Sequence, residues 1–202
     1  NITVTNTDAM IRAAGAGAVV LLTSSAAING GTLETTGGGL FATSGGGIKK
    51  LVNVTNQGHL QIANGTTLAA EGTLANNGLI EVNPAQGLAT TTFQAGEDLL
   101  LEGTGSIHLS RVGTLAQITT ATDKTITQQA GHTIAGVGDI PASLINHGVV
   151  RADKALGYGS ELQLLASNKI NTELLEAVAG STLNINNITI TNTDATIRAA
   201  GA

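Results

Sequence analysis

Apolar residues recur at every second position in short runs along this chain, and the runs repeat one another. "LANNGLIEV" reads Leu74-x-Asn76-x-Gly78-x-Ile80-x-Val82. Strict alternation predicts a strand with one buried face. An ordinary strand would not place Asn and Gly on the same parity as its core residues. The phrase apolar-x-Asn/Gly-x-Gly-x-apolar nevertheless returns with Asn56 and Gly58, Gly103 and Gly105, Gly136 and Gly138, and Asn146 and Gly148. Looser copies carry Asn29 with Gly31, Asn171 in "NTELL", and Asn192 in "TNTDA".

Successive Asn/Gly anchors mostly stand 20 to 27 residues apart, with Gly136 out of rhythm ten residues before Asn146. Short strands between Gly/Asn turns at such a step predict an all-β fold, a parallel β-helix (β-solenoid). Seven to eight coils are expected per 186 residues. Each strand then pairs in parallel with its equivalent one coil on. Corners need sharp bends, and Asn and Gly tolerate the left-handed backbone that bends require. Asn residues at one corner of successive coils can also stack their side-chain amides into a hydrogen-bonded ladder.

A second periodicity is longer. Residues 1–16, NITVTNTDAMIRAAGA, return as NITITNTDATIRAAGA at 187–202, with fourteen of sixteen positions identical. Residues 1–186 therefore read as one unit, and 187–202 as the start of the next, near-identical one. This predicts a tandem array.

Composition refines this picture. The chain is 42% hydrophobic, which suits a buried core, but only 1% aromatic. A thin, regular interior of Val, Ile, Leu and Ala is implied, with Phe41, Phe93 and Tyr158 expected at loops or coil edges. The net charge of −5 and the scattered Lys and Arg argue against nucleic-acid binding. The absence of Cys excludes disulfides and thiolate metal sites. "SELQLLASNKINTELLEAVAG" has helix-forming composition, but its register matches the other coils and predicts strands.

The phrases "VTNQGHLQI", "LANNGLIEV" and "NTELLEAVAGSTLNINNITITNTDATIRAAGA" resemble the repeats of large bacterial secreted proteins of the filamentous-haemagglutinin and adhesin type. That resemblance covers essentially the whole chain. It implies a right-handed parallel β-helix on or beyond the cell surface.

Little in the sequence suggests chemistry. The carboxylates are mostly isolated, and the one adjacent pair, Glu97-Asp98, would face opposite sides of a strand. Sugar-cleaving β-helices need clustered carboxylates, and sugar-binding clefts need aromatics, so a catalytic role is not expected. His59, His108, His132 and His147 are far apart and read as solvated, with His59 and His108 sharing a parity that suits one outer face. No calcium nonapeptide, EF-hand or phosphate loop is present, so no cofactor or metal is expected. The Thr-x-Thr pairs at Thr3 and Thr189 do not recur at every coil, as an ice-binding face would need.

The leading expectation is a structural repeat of an extracellular or cell-surface fibre. Its partners are neighbouring identical units, joined end to end and also packed laterally. The alternative is an adhesin stalk or binding module for a glycan or protein ligand, with residues 110–133 and 151–160 as its protruding loops.

Overall fold

The computed structural model describes residues 2–85, 87, 89–111 and 116–201. The chain winds as a β-solenoid of about nine coils, built almost wholly of parallel strands. Each coil has three strand positions, and equivalents stack into three ladders. The first ladder begins with Thr3–Thr5 on Ala27–Asn29 and ends with Glu161–Leu165 on Thr182–Asn186. The second runs from Met10–Ala14 on Thr32–Thr36 to Lys169–Asn171 on Ile190–Asn192. The third runs from Val19–Thr23 on Leu40–Ser44 to Leu174–Ala177 on Thr196–Ala199.

Among the described residues, four long strands turn a corner without breaking. Ile48–Asn56, Thr67–Asn76 and Thr91–Glu102 pass from the first ladder into the second. The pairing of the first two slips at Asn53, which sits in the left-handed region at φ 52°. Thr133–Ile140 passes from the third ladder of one coil into the first of the next, bending at Gly136 (φ 120°).

Alternation puts one residue in two inside. Ile28, Leu51, Ala70 and Ala95 line the first ladder, Leu60, Ile80, Ile107, Ile134 and Val150 the third, and all are buried. Stacking like on like keeps the interior full without irregular gaps.

Phe41 and Phe93 are not at edges; both are wholly buried, Phe41 against Leu60 and Phe93 between Leu68 and Ile118. On the same inward parity two residues on, Thr43 and Ala95 are small, which leaves room for each ring. Only Tyr158 is exposed, at 61%. The proposed loop 110–133 contains two regular strands, Ala116–Thr120 and Thr125–Gln128, because their Ile118 and Ile126 alternate into the core; its residues 112–115 lie outside the described set. Residues 153–160 do leave the ladders, through a short 3-10 turn over Lys154–Leu156 capped by the Asp153 carboxylate.

Candidate functional site: the corner ladder and the open ends

The corner between the second and third ladders is where the Asn-x-Gly phrase lands. Asn56, Asn76, Asn146 and Asn171 close their second-ladder strands with buried, inward side chains. Asn56 Nδ2 donates to Asn76 Oδ1 at 2.8 Å, and Asn146 Nδ2 to Asn171 Oδ1 at 2.7 Å. Asn171 Nδ2 then donates to Asn192 Oδ1 at 2.6 Å. Two of these amides also fix their own turns: Gly58 N–H donates to Asn56 Oδ1, and Gly148 N–H to Asn146 Oδ1. Buried polar groups must be satisfied, and here one side chain serves both its turn and its neighbouring coil.

Gly58, Gly78, Gly105, Gly138 and Gly148 act by close approach rather than by left-handed dihedrals. Among the phrase residues, the left-handed region is taken by Gly31, Gly103 and Gly136, and not by these Asn residues, which are simply strand ends. Gly58, Gly78 and Gly105 stack backbone on backbone. A Cβ on Gly78 would stand 2.0 Å from Gly58 O, and one on Gly105 2.2 Å from Gly78 O. A Cβ on Gly148 would meet His132 O at 2.4 Å. The remaining phrase residues lie elsewhere. Asn29 ends a first-ladder strand and is exposed. Gly31 follows at the next corner, pressed on Asn6. Gly136 and Gly138 belong to the corner between the third ladder and the first, which is why that copy breaks the rhythm.

The stack is not continuous from end to end. Where coil five offers Gly103 and Gly105, no amide is present, and His132 fills the gap. Its ring is wholly buried, not solvated as the sequence suggested, and Nε2 lies 3.0 Å from Asn76 Nδ2. Asn Nδ2 can only donate, so Nε2 is the acceptor and the ring is the neutral Nδ1–H tautomer. Burial pushes its pKa down to about 4. Beside it, Gln128 takes the place of the corner Asn, pairs in register with Asn146, and donates from Nε2 to His132 O. The substitution was foreshadowed only by parity, as Ile126-x-Gln128. Two additional residues between Gln128 and the next strand, which begins at Thr133, hid it.

Two inward lysines have no counterpart in the sequence reading. Lys49 is wholly buried and its Nζ donates to the carbonyls of Gly45, Gly46 and Gly47. Lys169 Nζ donates to Leu165 O and Ser167 O, and burial brings its pKa down to about 8. Both are corner plugs that satisfy loop carbonyls.

On the outside of the third ladder, His59, Gln61, Glu81 and His108 share one face. His59 Nε2 and Gln61 Nε2 both reach Glu81 Oε2, and Glu81 is in register with His108. No group of three or more His, Cys, Asp or Glu suited to a metal occurs among the described residues. His147 bonds Thr172 through Nδ1. A groove of about 710 Å³ runs beside Thr120, Asp123, Lys124, Pro141, Ser143 and Ser167. It is wide and shallow.

The two ends are the other notable surfaces. Val4 and Ile11 point inward at the first coil, in register with Ile28 and Leu33. At the last coil Ile185 and Ile197 continue the stacks of Leu164 and Leu175. These terminal core residues are uncovered: Val4, Ile185 and Ile197 are each 43% exposed. Backbone donors and acceptors along the two edges are likewise unpaired by any further coil.

No family model matches the chain, and neither a curated protein nor a solved structure matches it.

Proposed function

We propose that this chain is one structural unit of an extracellular or cell-surface fibre, extended by stacking coil on coil. One observation carries the reading. The second copy of the opening block does not hang free but continues all the stacks it meets. Asn192 extends the amide ladder, Ile197 sits on Leu175, and Arg198 pairs with Glu176. A sequence that begins a unit thus also fits the end of one. Such a fibre needs no catalytic centre: its work is to span distance with ladders running along its axis. The repeat phrases that resemble filamentous-haemagglutinin and adhesin proteins support a surface location. A binding-module reading draws support from residues 153–160, where Tyr158 stands out from an otherwise aromatic-free surface.

Electron microscopy of the full-length native material tests the proposal. Thin filaments with continuous cross-β striation along the axis are the expected result. Discrete, capped particles would overturn it and turn attention to ligand screens around Tyr158.

A further inference from the structure

The two copies of the opening block do not occupy the same ladders. In the first coil, Thr3–Thr5 lies in the first ladder and Met10–Ala14 in the second. In the last coil, the copy places Ile190–Asn192 in the second ladder and Thr196–Ala199 in the third. Local structure is nonetheless conserved between them. Asn6 Nδ2 donates to Ala9 O, and Asn192 Nδ2 to Ala195 O. Asp8 and Asp194 are both left-handed, at φ 55° and 51°. The same turn is therefore built at two different corners of the cross-section.

We infer that successive units of the array are turned one third of the way round the axis, so that the C-terminal edge of one unit receives the first strand of the next in its second ladder. This rests on the fibre reading above and adds the geometry of the junction. A unit then advances eight coils and one strand, and three units restore the starting phase after twenty-five coils. At ~4.8 Å per coil the unit is about 40 Å long and the full phase repeat about 120 Å.

The junction is chemically matched in this turned register. Glu176 is buried and accepts from Arg151 Nε and from Arg198 Nε and Nη2. Burial pushes its pKa up, but the hydrogen bonds from Arg151 and Arg198 outweigh this and hold it below the usual carboxylate value. Arg12, the counterpart of Arg198, pairs with Glu34 on its other side, one coil on. In an array the repeated Arg would thus stand between Glu176 of the unit before and the Glu34 counterpart of its own. The turned register supplies the Arg with a carboxylate on both sides. It also seats the Asn6 counterpart on Asn171, which continues the buried amide ladder.

A consequence follows for lateral packing. Any face of the unit, such as the His59–Glu81–His108 line, points in three directions in turn along the fibre. Neighbouring fibres then meet a given face only once in three units, which opposes flat two-sided ribbons and suits bundles.

Two measurements test this. In the present chain, which has no Cys, Ile170→Cys with Thr191→Cys places thiols on directly paired outward positions of the second ladder. Gln163→Cys, which faces Asn184 in the turned register, with Thr191→Cys would meet only if the copy displaced Thr182–Asn186 and took the first ladder, as residues 3–5 do. Crosslinking of the first pair and its loss in the second is the expected result. The reverse pattern would overturn the turned register and leave the fibre standing. Crosslinking of neither would mean that the block does not stack at all, and would overturn both. A two-unit chain, made by continuing residue 202 into a second copy of residues 17–186, gives the geometry directly by electron cryomicroscopy. A continuous solenoid whose halves superpose after a third of a turn supports the inference. Halves that superpose by translation alone overturn it, and two beads on a tether overturn the fibre reading as well.

Discussion

At the scale of single residues, the corner amides and His132 carry the specificity. Asn76 both accepts from Asn56 and donates to His132 and Ser106 O, all inside the coil. Asn76→Ala leaves several buried groups unmet and should cost about 3 kcal/mol, read as a lower urea midpoint with an unchanged slope. Asn29→Ala, on an exposed strand end, should stay within about 0.5 kcal/mol. His132 makes the stability depend on pH. Its folded pKa of about 4 lies below the ordinary value of 6.5, so the unfolded chain binds the extra proton first. Protonation would also set Nε2–H against the Asn76 NH₂ donor. Its contribution is fully present above pH 6.5 and is lost as pH falls toward 4, by about 3 kcal/mol across that window. Unfolding curves between pH 4 and 7 should show this slope, and His132→Gln should flatten it.

At the scale of the strand and corner, the glycine stack sets how closely coils approach. Gly58, Gly78 and Gly105 lie directly over one another, and the space a Cβ would need on Gly78 is filled by a carbonyl oxygen of the coil before. Gly78→Ala must push two backbones apart and should destabilise by about 3 kcal/mol. Gly17→Ala has open space around it and only its left-handed φ of 78° to oppose it. About 1 kcal/mol is expected there. Thermal unfolding of the two variants side by side separates steric approach from dihedral strain. The Asn-x-Gly phrase was legible as a corner at this scale. Its mechanism was not, because a contact between Gly78 and Gly58 depends on the coil-to-coil register, which one phrase does not specify.

At the scale of the whole molecule, the open ends dominate. Core stacks stop abruptly at Val4 above and at Ile185 and Ile197 below, and each terminal residue lacks the cover that its equivalents have within the solenoid. On the proposed fibre reading, such an apolar cross-section is buried against a second copy. Sedimentation velocity should therefore show concentration-dependent association of this chain. Ile185→Lys with Ile197→Lys, which places two charges on the lower end, should reduce it strongly while leaving the fold of the upper coils intact.

The class of fold was legible in the chain alone. Alternation sets which side chains face inward, and a phrase returning every twenty-odd residues leaves few alternatives to a coil. Hydrophobic period is a local property, so it can be read from one chain without contacts. Features that depend on register and cross-section emerge only once the coils are packed. Phe41 and Phe93 go inside because the inward neighbours two residues on, Thr43 and Ala95, are small. His132 is buried because Gly103 leaves a gap in an amide stack two coils long, a fact spread over fifty-six residues. The two copies of one sixteen-residue block fall in different ladders because a unit holds one strand more than eight three-strand coils. Identical residues then meet different neighbours, since each ladder position is filled by counting strands along the whole unit and not by the block's own sequence.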